Sequence, residues 1–141
     1  MLTVFVILSA AACADFTGGI DPTYGLPDVV VEDPDYLRDV VPIFERRCAL
    51  GGCHSPGSAQ AGLVLTRDAA HQMLVDAPAR LRPGEVRVVP FDAASSWLMV
   101  MIGEEQAPRG GFSRMPLGSN PLTPNQIATI ANWIDRGAGR E

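Results

Sequence analysis

CALGGCH, residues 48–54, sets two cysteines five positions apart and places a histidine directly behind the second. Three chemistries compete for Cys48, Cys53 and His54. A structural zinc ion asks for four ligands, and beyond these three only His71 and carboxylates are on offer, with no second cysteine pair. A Cys48–Cys53 disulfide uses both thiols and the flexible glycines but leaves His54 without a reason. Covalent attachment of a haem uses all three: two thiols reach the two vinyl groups and the adjacent imidazole reaches the iron. The usual spacer between such thiols is two residues, whereas Ala49, Leu50, Gly51 and Gly52 make four here. The extra residues must bulge, and glycine permits a bulge without steric penalty. Taken alone, the stretch divides evenly between disulfide and haem.

Upstream, Pro42 suits the first turn of a helix, where its missing N–H costs nothing. Val41, Phe44 and Cys48 fall on one face of that helix, and Gly51–Gly52 end it. Downstream, SPGSAQAG reads as a loop. AGLVLTRDAAHQML starts strand-like and continues as a short helix with Asp68 as a candidate cap, and VRVV is an extended piece within a connector. Ser95 or Ser96 is placed to cap a helix over WLMVMI, which must be buried. The last helix carries the fullest set of signals. Thr123 is its N-cap, Pro124 its first residue and Gln126 completes a capping box. Ile127, Ile130, Ala131 and Ile134, with Trp133 beside them, form its apolar face, and Gly137 stops it in left-handed conformation. The expected fold is mainly α, with long loops and a small β element.

A chain of 141 residues suits one ordinary domain, and its 47% apolar content is enough for a core. A net charge of −5 argues against nucleic acid as a partner. All eleven basic residues are arginine, which excludes docking through a ring of lysines. Residues 1–12 form an apolar run too short to span a bilayer and read as an export signal. Ala10, Ala11 and Ala12 before Cys13 resemble a bacterial lipobox, making Cys13 the candidate lipidation site; plain cleavage nearby is the alternative. Either way the mature chain is expected outside the cytoplasm, in the periplasm or cell envelope, where disulfides are permitted. Membrane contact would come only through the N-terminal lipid anchor. Residues 13–35, rich in Gly, Pro and Asp and without a basic side chain, read as a flexible acidic tether, with VVV at 29–31 its one β-like element. The domain proper is expected at 36–141.

A haem needs a second axial ligand, and a thioether is a common choice that raises the potential. Met99 and Met101 sit in an apolar helix and Met73 on a short amphipathic one, so all three read as packing. Met115 lies in the loop FSRMPLG, between polar residues, Pro116 and Gly118, and has no packing reason to be there. It is the candidate ligand, with His71 as the alternative.

The order IFERRCALGGCHS, AGLVL, VVPFDAASSWLMVMI, RMPLG and LTPNQIATIANWIDRGA resembles a small c-type cytochrome, most closely the Planctomycete cytochrome C domain family and related short exported lipoproteins. The resemblance covers roughly residues 40–138. It implies a helical domain around one covalent haem c, with the helix before Cys48 crossing the C-terminal helix near Phe44 and Trp133. It implies Cys48 and Cys53 as thioether attachments, His54 as proximal iron ligand and Met115 as distal ligand. The implied function is single-electron transfer to and from redox partner proteins, with no enzymatic activity because both axial positions are filled. Two rivals stand beside it. One is an exported structural or interaction module with a Cys48–Cys53 disulfide and no haem. The other is a haem enzyme or sensor in which Met115 is displaceable.

Overall fold

The computed structural model describes Asp21, residues 23–103 and residues 111–141; the leader 1–12 and Cys13 lie outside the described residues. The first helical segment begins at Asp35, whose carboxylate accepts from Arg38 N at 2.7 Å, while Asp39 accepts from Asp35 N at 2.8 Å. These two carboxylates satisfy backbone donors that a helix start leaves open. A π-helical turn, Tyr36–Val40, runs straight into α1, Val41–Arg47, with Pro42 in its first turn. Among the described residues a 3-10 turn, Gln60–Gly62, and three further α-helices follow: α2, Ala70–Leu74; α3, Trp97–Ile102; and α4, Pro124–Asp135. Among the described residues β structure is limited to isolated bridges, two of which join Val75 to Val88 and Pro78 to Val86. The described chain is thus mainly α.

α4 forms as its sequence prescribes. Gln126 N donates to Thr123 Oγ1 at 3.2 Å and Thr123 N donates to Gln126 Oε1 at 3.1 Å, completing the capping box. At the other end Gly137 takes φ +100°, and Ala138 N reaches back to Trp133 O at 2.9 Å. This reversal satisfies carbonyls that the last turn would otherwise strand. The two shorter helices start differently from expectation. α2 begins after Ala69, and Asp68 makes no cap. Ser96 does precede α3, but its hydroxyl accepts from Val89 N and donates to Asp92 O. Ser96 is fully buried, so it serves the connector that packs on it rather than the helix.

Tyr36 packs the π turn onto α4: its ring stacks on Trp133 at 5.1 Å, and His71 meets Tyr36 edge-on at 5.3 Å. The resemblance implied Phe44 and Trp133 as the aromatic contacts where the helix before Cys48 crosses the C-terminal helix. Phe44 is buried in the same core, but the ring on Trp133 is Tyr36, one helical turn before α1 begins. Burial pushes the Tyr36 phenol up to about 12. Leu65, Leu74, Val88, Leu98 and Ile130 complete the interior.

From Thr23 to Asp35 the acidic segment lies on the domain. Asp28 accepts from Thr123 Oγ1 at 2.7 Å, Val31 N donates to Thr129 Oγ1 at 3.1 Å, and Val31 O accepts from Asn132 Nδ2 at 3.0 Å. VVV therefore runs along α4, held by that helix's polar side chains rather than by a sheet edge.

Candidate functional site

Cys48 is the C-cap of α1, its N–H bonded to Phe44 O at 2.8 Å. The loop after it closes on itself: His54 N donates to Cys48 O at 3.1 Å and Cys53 N donates to Leu50 O at 3.0 Å. Gly52 makes that closure possible with φ +83°, a conformation that costs any residue with a Cβ. The loop is then fastened to the following segment, since Cys53 O accepts from Gln60 N and His54 O accepts from Leu65 N at 2.8 Å. Neither cysteine is in a disulfide. Cys48 is buried, and desolvation pushes its thiol from 9.0 up to about 12 despite the neighbouring Arg47.

Cys48 and His54 open onto a cleft with a cavity of about 120 Å³ that is in part continuous with solvent. That volume is below the about 300–1,000 Å³ usual for a cofactor site, so a large cofactor would also have to occupy the solvent-open part of the cleft. The walls are apolar. Leu63, Leu65 and Leu74 form one part, Trp97, Leu98, Met101 and Ile102 of α3 another, and Phe112 and Met115 a third. Met115 is brought here by a backbone bond, its N–H donating to Met101 O at 2.7 Å, which lays the Met loop on α3. Three of the four residues singled out for a haem, Cys48, His54 and Met115, therefore share one cleft. Cys53, half-buried, does not line it.

His54 Nδ1 lies 3.2 Å from Leu63 O. A carbonyl only accepts, so Nδ1 carries the proton and the lone pair of the neutral ring is on Nε2. A backbone carbonyl on one ring nitrogen is the usual way a metal-ligating imidazole is oriented. The donor set of thiol, imidazole and thioether on an apolar cleft fits a haem. Among the described residues no group of three or more His, Cys, Asp or Glu is placed to hold a metal ion.

The other candidates are engaged elsewhere. His71 Nε2 donates to Ala138 O at 2.8 Å, and its ring packs on Tyr36 and Trp133 away from the cleft. Met73 Sδ accepts from Val64 N at 3.2 Å. Met101, read as packing, lines the cleft along with Met115.

Arg47 went unremarked in the sequence. It is buried directly before Cys48, with Nη2 donating to Asn120 O at 2.6 Å and Pro121 O at 3.1 Å, and its guanidinium 4.1 Å from the Tyr24 ring centre. It joins the end of α1 to the segment between Met115 and α4. Its position three residues after Phe44, on the buried face, was the available signal.

Comparison with protein-family models, curated proteins and solved structures finds no match. Among the described residues no helix is long and apolar enough to cross a membrane.

Proposed function

We propose that the chain is an exported monohaem c-type cytochrome that carries single electrons. The observation that supports this most directly is the convergence of Cys48, His54 and Met115 on one apolar cleft, with the His54 ring oriented through Leu63 O. When bound, a haem supplies one-electron exchange between ferrous and ferric iron. Cys48 and Cys53 would hold it covalently; His54, through Nε2, and Met115, through its thioether, would be the axial ligands. The leucines and Trp97 would surround a haem with apolar surface, which favours the less charged oxidation state and limits reorganisation. With His54 and Met115 both given to the iron, no position on it would be left for a substrate. Its partners would be redox proteins, and Cys13 would tie the chain to a membrane surface.

The test is expression of the chain with a covalent haem-maturation system. The expected product is red, keeps its haem under denaturing conditions and loses covalent attachment in the Cys48→Ala, Cys53→Ala double variant. A colourless product with a reducible Cys48–Cys53 disulfide would sink the proposal in favour of a structural or interaction module.

A further inference from the structure

Two cationic side chains, Arg80 and Arg87, line a cleft that is otherwise almost wholly apolar. They come from one antiparallel arrangement: Ala79 N donates to Glu85 O and Arg87 N to Ala77 O, so residues 77–79 run beside 85–87. The cleft is where both guanidiniums meet. Neither is in an ion pair among the described residues, where Arg38–Asp39 and Arg136–Asp33 are the pairs formed. Arg87 is tethered by Nη1 to Met73 O at 2.8 Å, which leaves its other N–H groups to serve a second acceptor. Arg80 lies over Gly62, where a Cβ would come within 2.7 Å of Nη1; the glycine leaves the guanidinium its seat. Burial and the charge of Arg80 hold Arg87 below its ordinary range, so the pair repels itself as it stands. Two like charges on an apolar wall ask for an anion, and the arginine fork matches a carboxylate best.

We propose that Arg80 and Arg87 are the clamp for the carboxylates that the cleft's occupant carries, which for a haem are its two propionates. This rests on the haem reading above. The remaining titratable side chains on the cleft are Cys48 and His54, both assigned to the cofactor; Arg82 and Glu85 belong to the same hairpin and face Trp97 and Ser95 outside the cleft. The clamp therefore keeps the carboxylates ionised and adds positive potential beside the iron, which disfavours its oxidised state.

The experiment uses the full, haem-loaded chain and its Arg80→Gln, Arg87→Gln and Arg80→Gln/Arg87→Gln variants, with the midpoint potential followed from about pH 5 to pH 8, a range above the ordinary carboxylate pKa. Arg80 is exposed, so its variant does not threaten folding. The wild-type potential is expected to be flat across this range. Each variant is expected to have a lower potential at pH 7, and the double variant to acquire a rise toward acid, because a carboxylate left unclamped on the apolar wall is pushed up into this range by desolvation and takes up a proton. Variants that keep their haem and overlay the wild-type curve at every pH overturn the clamp. A wild-type chain that takes no haem overturns the functional reading instead, and the two failures are told apart by colour.

Discussion

At the scale of single residues the site rests on a few atoms whose chemistry is fixed by their neighbours. Met115 is one of two thioethers on the cleft, Met101 being the other. Met115→Ala is expected to change both oxidised and reduced visible spectra of the loaded protein and to lower its potential, because a thioether stabilises ferrous iron. Spectra identical to wild type would remove Met115 from the coordination and bring Met101 forward. Cys48 gives a prediction that needs no cofactor. Its folded thiol keeps its proton to about 12, whereas the unfolded one loses it near 9.0. Between these values the folded chain binds more protons, so stability is complete below pH 9 and falls as pH rises through the window. Tyr36 adds a loss of the same sign from 10.0 upward. Urea midpoints of the free-thiol chain should therefore decline between pH 9 and 10, and those of Cys48→Ala should not. Equal curves would mean that the thiol is not buried. Thioether linkage abolishes the Cys48 window altogether, since the sulfur then has no proton to lose.

At the scale of elements, legibility follows range. The ends of α4 could be read because their signals are local: Thr123, Pro124, Gln126 and Gly137 act within one turn of themselves. Its buried face, however, is turned to Gln126, Thr129, Ile130, Trp133 and Ile134, leaving Ile127 and Ala131 only partly covered. The start of α1 at Pro42 was readable for the same reason as the ends of α4. That helix stops at Arg47 with Cys48 as its C-cap, ahead of Gly51–Gly52, which shape the loop after it instead. Ser96 stands at the N-cap of α3 as expected, but its hydroxyl is turned to Val89 and Asp92 and makes no cap bond. α2 starts after Ala69 rather than at Asp68, because such choices depend on partners outside the local turn. The stack of Tyr36 on Trp133 and the reach of Arg47 to Asn120 join residues roughly 70 to 100 positions apart, and no periodicity announces them. The site shows the same division. Cys48, Cys53 and His54 are adjacent and were found as a motif; Arg80 and Arg87 come together only through the pairing of 77–79 with 85–87. The stop of α4 offers a direct test. Gly137 has φ +100°, and a Cβ there would sit 2.6 Å from the Phe91 ring. Gly137→Ala is expected to destabilise the fold by about 1–2 kcal/mol from the left-handed conformation alone, with the displaced ring adding to it. A denaturation midpoint unchanged from wild type would show that the helix end relaxes freely.

At the scale of the molecule, the question is where the folded unit begins. Composition puts a tether up to residue 35, since carboxylates, prolines and glycines give no periodic pattern. The contacts extend the unit further. Tyr24 lies under the buried Arg47, Arg46 Nη1 donates to Gly25 O at 3.0 Å, and Asp28, Val31 and Glu32 bond to Thr123, Thr129, Asn132 and Arg136 along α4. These bonds reach the two places that matter to the cleft, the end of α1 that carries Cys48 and the start of α4 that follows the Met loop. A hydrogen bond contributes about 1 kcal/mol net, and ordering the segment offsets part of the sum. A chain beginning at Pro34 keeps the Asp35 cap but loses the segment. It is expected to be less stable by roughly 2 kcal/mol than one beginning at Asp21, which at about 4 °C per kcal/mol for a domain of this size lowers the melting temperature measurably. The loss should also reach the site, because Arg47 is then stripped of its aromatic cover and its hold on Asn120 and Pro121 is exposed to water. In the loaded protein the truncated chain should therefore show weaker thioether ligation on heating before the helices melt. Superimposable melting curves for the two chains would return the boundary to residue 36 and make residues 23–35 a tether that merely rests on the domain.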